Sequence, residues 1–237
     1  MLLYFIRHGD PIYSPDSLTE KGKKQAEALS LRLSRFGFDE IYSSDSHRAV
    51  MTAAPTAELL KKDINLLPWC NEGLAWEQLS LPDGNGGVTW CFQIDRFKKL
   101  FVSDEISKLG EQWYTHKSLS GCKLGQGIER IRKQTDGFLK SLGYEHDREN
   151  KCYKSAFYNE KRIALFAHQG FGLAFLSCLL DIPYPQFCTH FDMGHTGVTV
   201  IYFEPQGDTI PKVLQLSNDS HLYKENLTTD YQNGINI

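Results

Sequence analysis

Apolar residues open the chain as an unbroken run at 2–6, the pattern of a strand buried on both faces, and the run stops at the loop sequence Arg7-His8-Gly9-Asp10-Pro11. From 25 to 35, and on to Phe36, the apolar positions Ala26, Leu29 and Leu33 recur at helical spacing behind Thr19, a residue suited to cap a helix start. Residues 38–42 read as a second strand, Ser43-Ser44-Asp45-Ser46 as a turn and cap, 47–61 as a second helix and 64–67 as a short strand. Regular patterning returns at Arg162, where 163–167 is another apolar run ended by His168-Gln169-Gly170. An almost wholly apolar helix follows at 171–180, then strands at 198–203 and 213–216. Strands alternating with helices of this length predict an α/β fold, a three-layer sandwich with a mainly parallel central sheet flanked by helices. Ligands of such sheets bind beyond the carboxyl ends of the strands.

Between about 73 and 160 the periodicity is lost. Pro82-Asp83-Gly84-Asn85-Gly86-Gly87 is a turn cluster, and Trp76, Trp90 and Trp113 follow no repeat. The chain is therefore expected to be a single domain over 1–237 carrying a cap-like insertion at about 73–160. Within the insertion, 128–142 reads as a helix and 145–154 as a charge-rich loop with little burial. A polar tail from Asn218 is expected to be partly disordered.

Bulk properties narrow the function. The 237 residues, 41% of them hydrophobic, can bury a substantial core, and a net charge of -3 offers no general attraction to nucleic acid or to an anionic membrane. The six cysteines stand singly, without CxxC pairs or zinc-type spacing, so neither a disulfide framework nor a metal site is expected. The apolar run before Arg7 is too short for a signal peptide and no run approaches about 20 residues, so a cytoplasmic location is expected. Nothing in the sequence sets the oligomeric state. The chain has no GxxxxGK[ST], GxGxxG or G-x-S-x-G segment, which argues against nucleotide-binding and serine-hydrolase chemistry.

Two histidines, His8 and His168, each follow a buried strand and precede a glycine-containing turn. If the strands are neighbours, the two imidazoles meet. Arg7 precedes the first histidine and Arg48 opens the helix after the second strand, so two guanidinium forks can converge on the same sheet edge, where a helix start near Gly170 adds donors. That combination suits a phosphate dianion.

These residues resemble the histidine phosphatase superfamily. Arg7-His8-Gly9 matches its amino-terminal signature, Leu18-Thr19-x-x-Gly22-x-x-Gln25-Ala26 the helix entry after it, Ile41-Tyr42-Ser43-Ser44 through Arg48-Ala49 to Thr52-Ala53 the segment carrying a second arginine, and Ala167-His168 the second histidine. The similarity covers 1–72 and 162–203 and leaves the insertion unmatched.

The resemblance implies a two-step transfer on a small phosphorylated substrate, with no cofactor and no metal. His8 attacks phosphorus, a carboxylic acid protonates the leaving oxygen, and water then takes the phosphoryl group. Arg7, Arg48 and His168 offset the charge of the transferred group. In the phosphoglycerate mutase-like branch the acid is a glutamate shortly after the third strand, the place of Glu72, with Glu77 as the alternative. Gln169 stands where the acid-phosphatase branch carries aspartate, which favours the mutase-like branch. Pro11 and Ser14 replace the family's usual Thr and Asn; Ser14 and His195 are expected as further phosphate contacts. A mutase, or a binding module that has lost catalysis, are the alternative functions.

Overall fold

The computed structural model describes residues 1–229 and 231. Strand β1 (Leu2–Arg7) leads into a small hairpin, β2 (Pro11–Tyr13) and β3 (Asp16–Leu18), followed by α1 (Glu20–Leu33), β4 (Glu40–Ser43), α2 (His47–Leu60) and β5 (Ile64–Leu66). The next stretch holds α3 (Glu72–Leu79), a second hairpin β6 (Ser80–Pro82) and β7 (Val88–Trp90), α4 (Asp95–Phe101), α5 (Asp104–Leu109), α6 (Leu124–Ser141), β8 (Tyr144–Asp147) and β9 (Cys152–Ser155). The chain then returns through β10 (Arg162–Ala167), α7 (Gln169–Leu180), α8 (Tyr184–His190), β11 (Val198–Tyr202), β12 (Asp208–Thr209), β13 (Lys212–Asn218) and α9 (Ser220–Lys224).

The main sheet has the order β13-β11-β1-β10-β4-β5. Strands β1, β10, β4 and β5 are parallel, while β11 pairs antiparallel with β1 and the edge strand β13 antiparallel with β11. This is the expected three-layer, mainly parallel α/β sandwich. Alternate residues of β1 feed opposite faces: Tyr4 and Ile6 pack with Leu29 and Leu33 of α1 and Ala53 of α2, whereas Leu3 and Phe5 pack with Phe171 and Phe175 of α7. The second cluster is continuous from Phe5 through the α6 residues Ile128 and Ile131 to Phe101 and Trp113.

The central pair of strands explains where a ligand belongs. From β1 the chain crosses by α1 to β4, on the far side of β10; from β10 it crosses by α7 to β11, on the far side of β1. The two connections leave in opposite directions and over opposite faces, which opens a crevice at the carboxyl ends of β1 and β10.

Three expectations need correction. Residues 145–154 are not a loop: Tyr144 and Tyr153 are buried from the two strands of the β8–β9 hairpin, and the charges around them are matched laterally, Lys140 with Glu145 at 2.6 Å and Lys154 with Asp147 at 2.8 Å. The aperiodic 73–160 stretch is rich in short helices that each contribute one or two residues to the shared core, such as Leu79 of α3, Phe97 and Phe101 of α4 and Ile106 of α5, too short a length for a repeat to register. The tail beyond Asn218 begins with α9, which buries His221 and Leu222; residues 230 and 232–237 lie outside the described part of the chain.

The hairpin also carries a buried ionic cluster. His146 Nδ1 is 2.9 Å from Asp136 of α6 and its Nε2 2.8 Å from Asp181 at the end of α7, while Arg148 donates to both carboxylates and Tyr153 stacks on the imidazole at 4.0 Å. With an acceptor on each nitrogen, both nitrogens donate and the ring is an imidazolium. Burial alone would lower its pKa, but the two carboxylates outweigh that and raise it. His146→Phe keeps the stack and removes both bonds. It should lower stability by about 2 kcal/mol, or about 4–8 °C in Tm. Because the folded pKa is raised, this contribution is full below the ordinary imidazole value and is lost as pH rises through the raised one, so thermal melts of the two proteins should converge at alkaline pH.

Candidate active site

Parallel pairing of β1 with β10 sets Arg7 opposite Ala167, so His8 and His168, each one residue beyond its strand, emerge side by side. Their ring centroids are 5.2 Å apart. Pairing of β10 with β4, Phe166 opposite Ser43, brings Ser44 and the start of α2 to the same edge. The structure thus draws together Arg7, His8, Arg48, Glu72, His168 and His195, all but Glu72 of them fully or nearly buried.

The loop carrying His8 is fixed from three sides. Gly9 N–H donates to Thr52 Oγ1 at 3.0 Å and Asp10 N–H to Gln25 Oε1 at 2.8 Å, while Thr19 caps α1 by accepting from Gly22 N–H and donates its hydroxyl to the Asp10 carboxylate at 2.6 Å. A Cβ on Gly22 would lie 2.3 Å from the Asp10 carbonyl oxygen, and one on Gly9 2.7 Å from the Gly22 carbonyl. Backbone meets backbone here, and the motif residues Thr19, Gly22, Gln25 and Thr52 acquire a physical role as clamps on the His8 loop.

Hydrogen bonding fixes the tautomers. His8 Nδ1 lies 2.7 Å from the Gly9 carbonyl, which can only accept, so Nδ1 carries the proton and Nε2 keeps its lone pair. Arg48 Nη2 can only donate to His168 Nδ1, at 3.1 Å, so His168 Nε2 is the protonated nitrogen and donates to Ser44 Oγ at 2.9 Å. By the same logic His195 Nε2 accepts from Arg7 Nη2 at 2.9 Å; Arg7 Nη1 donates to the Met193 carbonyl at 2.5 Å. Burial, reinforced by neighbouring positive groups, pushes the pKa values of His8 and His168 well below the ordinary imidazole value. Both rings are neutral at pH 7.

Glu72, at the first turn of α3, bonds across to two other elements: Oε1 accepts from Gly170 N–H of α7 at 3.0 Å and Oε2 from Arg48 Nη2 at 3.1 Å, with His168 Nδ1 3.5 Å away. Burial raises its pKa despite the opposing pull of Arg48, Arg7 and the Gly170 N–H. A carboxyl group whose pKa is raised keeps its proton to higher pH than an ordinary glutamate, the property a general acid needs. Glu77 is placed elsewhere, exposed and paired with Lys123 at 2.7 Å.

Ser14 stays outside the cluster. Tyr13 pairs with Asp16 across the β2–β3 hairpin, which puts Ser14 at its exposed tip. The flanking residues approach instead: Asp16 Oδ1 takes Arg48 Nη1 at 2.8 Å, and the Tyr13 ring lies 5.3 Å from the same guanidinium. Gln169 bonds to Asp192, turned from the two histidines. Asp16, Tyr13 and Ser44 were missed from sequence; only Ser44 left a trace, inside a segment read as a turn.

One ring nitrogen each of His8 and His168 and a carboxylate oxygen of Glu72 lie within 4.8 Å of one another, close enough to consider a cation. The guanidinium of Arg48, bonded to two of the three, occupies the same space, and Arg7 adds a second positive charge. Electrostatics there favour an anion. Beyond the cluster opens a cavity of about 970 Å³ walled partly by Trp76 and Trp90.

Two histidines and two arginines converge at the switch point of a parallel α/β sheet, an arrangement whose charge suits a phosphoryl group. The family model described as histidine phosphatase superfamily (branch 1) matches residues 3–83. An adenosylcobalamin/alpha-ribazole phosphatase of Salmonella typhi is 25% identical over 199 residues, covering 77% of this chain and 81% of that protein. Among solved structures, phosphoserine phosphatase of Entamoeba histolytica in complex with 3-phosphoglyceric acid superposes with a TM-score of 0.59 at 22% identity, covering 93% of this chain and 98% of that one. A mycobacterial glucosyl-3-phosphoglycerate phosphatase with inorganic phosphate gives 0.59 at 15% identity, again covering 93% and 98%. The chain is thus similar to the histidine phosphatase superfamily over residues 3–83, and its likeness to phosphatases extends over most of its length. No helix among the described residues is long and apolar enough to cross a membrane.

Proposed function

We propose that the protein is a metal-independent phosphomonoesterase for small phosphorylated molecules that works through a phosphohistidine on His8. The observation that carries this reading is the His8 Nδ1–Gly9 carbonyl bond, which leaves Nε2 unprotonated on a buried, neutral ring. In the first step the Nε2 lone pair forms a bond to phosphorus as the ester P–O bond breaks, and Glu72 gives its proton to the departing oxygen. Arg7 and Arg48, with His168 and His195 beside them, face the equatorial oxygens, where charge needs stabilising. In the second step water attacks the phosphoryl group and returns a proton to the Glu72 carboxylate, freeing His8 and inorganic phosphate. The relatives are named for phosphoserine, glucosyl-3-phosphoglycerate and adenosylcobalamin/alpha-ribazole, none of them a macromolecule, which supports a small phosphorylated molecule as substrate.

Hydrolysis of p-nitrophenyl phosphate should persist within about twofold in excess chelator, because guanidinium and imidazole groups already supply the positive charge that a divalent ion supplies elsewhere. Loss of turnover in chelator, restored by one divalent ion, would refute this. 3-Phosphoglycerate, if turned over at all, should release inorganic phosphate; conversion to an isomer would make the enzyme a mutase.

A further inference from the structure

The cavity is much larger than a phosphate group, and its walls differ in character from the phosphate end. Glu72 and Trp76 stand four residues apart on α3, so they share one face, and both line the cavity one helical turn, about 6 Å, apart. Trp76 meets Trp90 edge to face at 5.0 Å and 90°; Trp90 in turn stacks on Phe92 at 5.7 Å and presses on Gly170, where a Cβ would come within 2.4 Å of the indole. Trp76 is therefore backed by fixed groups while remaining 39% exposed toward the cavity. A large aromatic surface, supported from behind and open in front, is a platform for a flat ring.

The charge of the wall is equally selective. Asp16 and Asp45 line the cavity, and Arg48, the one lysine or arginine among the described residues that line it, is already bonded to Asp16 and Glu72. A carboxylate or second phosphate on the alcohol part of a substrate would face acidic groups without a cation of its own.

On the phosphatase reading above, we infer that the substrate is a monophosphate ester whose alcohol bears an uncharged flat ring a few bonds from the ester oxygen, as in a nucleoside 5′-phosphate or a similar ribosylated heterocycle. The ester oxygen meets Glu72, the ring lies on Trp76, and alcohols carrying a second anionic group are rejected.

Adenosine 5′-monophosphate and ribose 5-phosphate, which differ by the ring alone, provide the test, with glycerol 3-phosphate and 3-phosphoglycerate as the pair that differs by a carboxylate. The ring should raise kcat/KM at least about 10-fold, the scale of one base stacked on one aromatic side chain, and the carboxylate should lower it by a similar factor. Trp76→Ala should bring the adenosine and ribose esters within about threefold of each other through KM, and Trp76→Phe should restore most of the gap. Equal kcat/KM for the two in the wild-type enzyme, or an equal loss for both in Trp76→Ala, overturns the inference. Adenosine itself, which lacks phosphate, should quench the intrinsic tryptophan fluorescence of the wild-type protein and not of Trp76→Phe. That readout holds or fails independently of turnover. No hydrolysis of any ester with the quench intact would sink the phosphatase reading alone, and no quench would sink the ring platform alone.

Discussion

His8→Ala is expected to reduce turnover by at least about 10⁴-fold and to abolish a covalent intermediate that the wild-type enzyme forms. The reason lies in the tautomer: Nδ1–H donates to the Gly9 carbonyl, and a ring kept neutral by burial and by its cationic neighbours presents the other nitrogen as a nucleophile. Brief incubation with labelled substrate, quenched in alkali, should leave phosphate on the peptide containing Arg7-His8-Gly9. A phosphorus–nitrogen bond survives base and is lost in mild acid, the reverse of phosphoserine, so acid treatment should release the label. In the wild-type enzyme His168 should carry no label, because its Nε2 is engaged by Ser44 and its other nitrogen by Arg48, and His168→Ala should slow labelling of His8 without abolishing it. Label on His168, or full turnover in His8→Ala, would reverse the roles assigned to the two rings.

Glu72→Gln should slow alkyl phosphates by about 10²–10⁴-fold and an activated aryl phosphate by less than about 10-fold, since a nitrophenolate departs without a proton. The pH profile gives a second test. Lowered below the ordinary value, the His8 pKa sets a limb on which activity rises with pH as the ring loses its proton; raised above its ordinary value, the Glu72 pKa sets a limb on which activity falls as the acid ionises. Activity on alkyl esters should therefore be bell-shaped, and Glu72→Gln should flatten the descending side. Equal losses on alkyl and aryl esters would mean that Glu72 only holds Arg48 in place.

Much of the architecture was legible because it is written locally. Apolar runs such as 2–6 and 163–167 mark buried strands whatever lies around them, and Thr19 starts α1 by an ordinary cap, although the helix begins earlier than its apolar spacing shows because its first turn, Glu20 to Lys24, has no apolar side chain and buries only Gly22. Arg7, His8, Arg48 and His168 could be placed at one edge because a residue just past a parallel strand has few places to go. Glu72 followed from resemblance, and its contacts with Gly170 and Arg48 span three separate elements that no local pattern connects. Asp16 was hidden for the same cause: its partner lies 32 residues away. Ser14 was misplaced because strand pairing in a three-residue hairpin, not sequence distance, decides which side chain faces inward. The hairpin at 144–155 was obscured by charges that neutralise one another across its surface.

The apolar cluster that joins Phe5 of the sheet to Phe171, Phe101 and Trp113 has a consequence for how substrate enters. A wall that shares its interior with the body of the enzyme has no hinge of its own: swinging it outward would bare Trp113 and Phe101, each almost fully buried, to water. Entry then proceeds into a preformed cleft, without a gating step, and amide hydrogens of α3 and α6 should exchange with those of α7 in one cooperative unit.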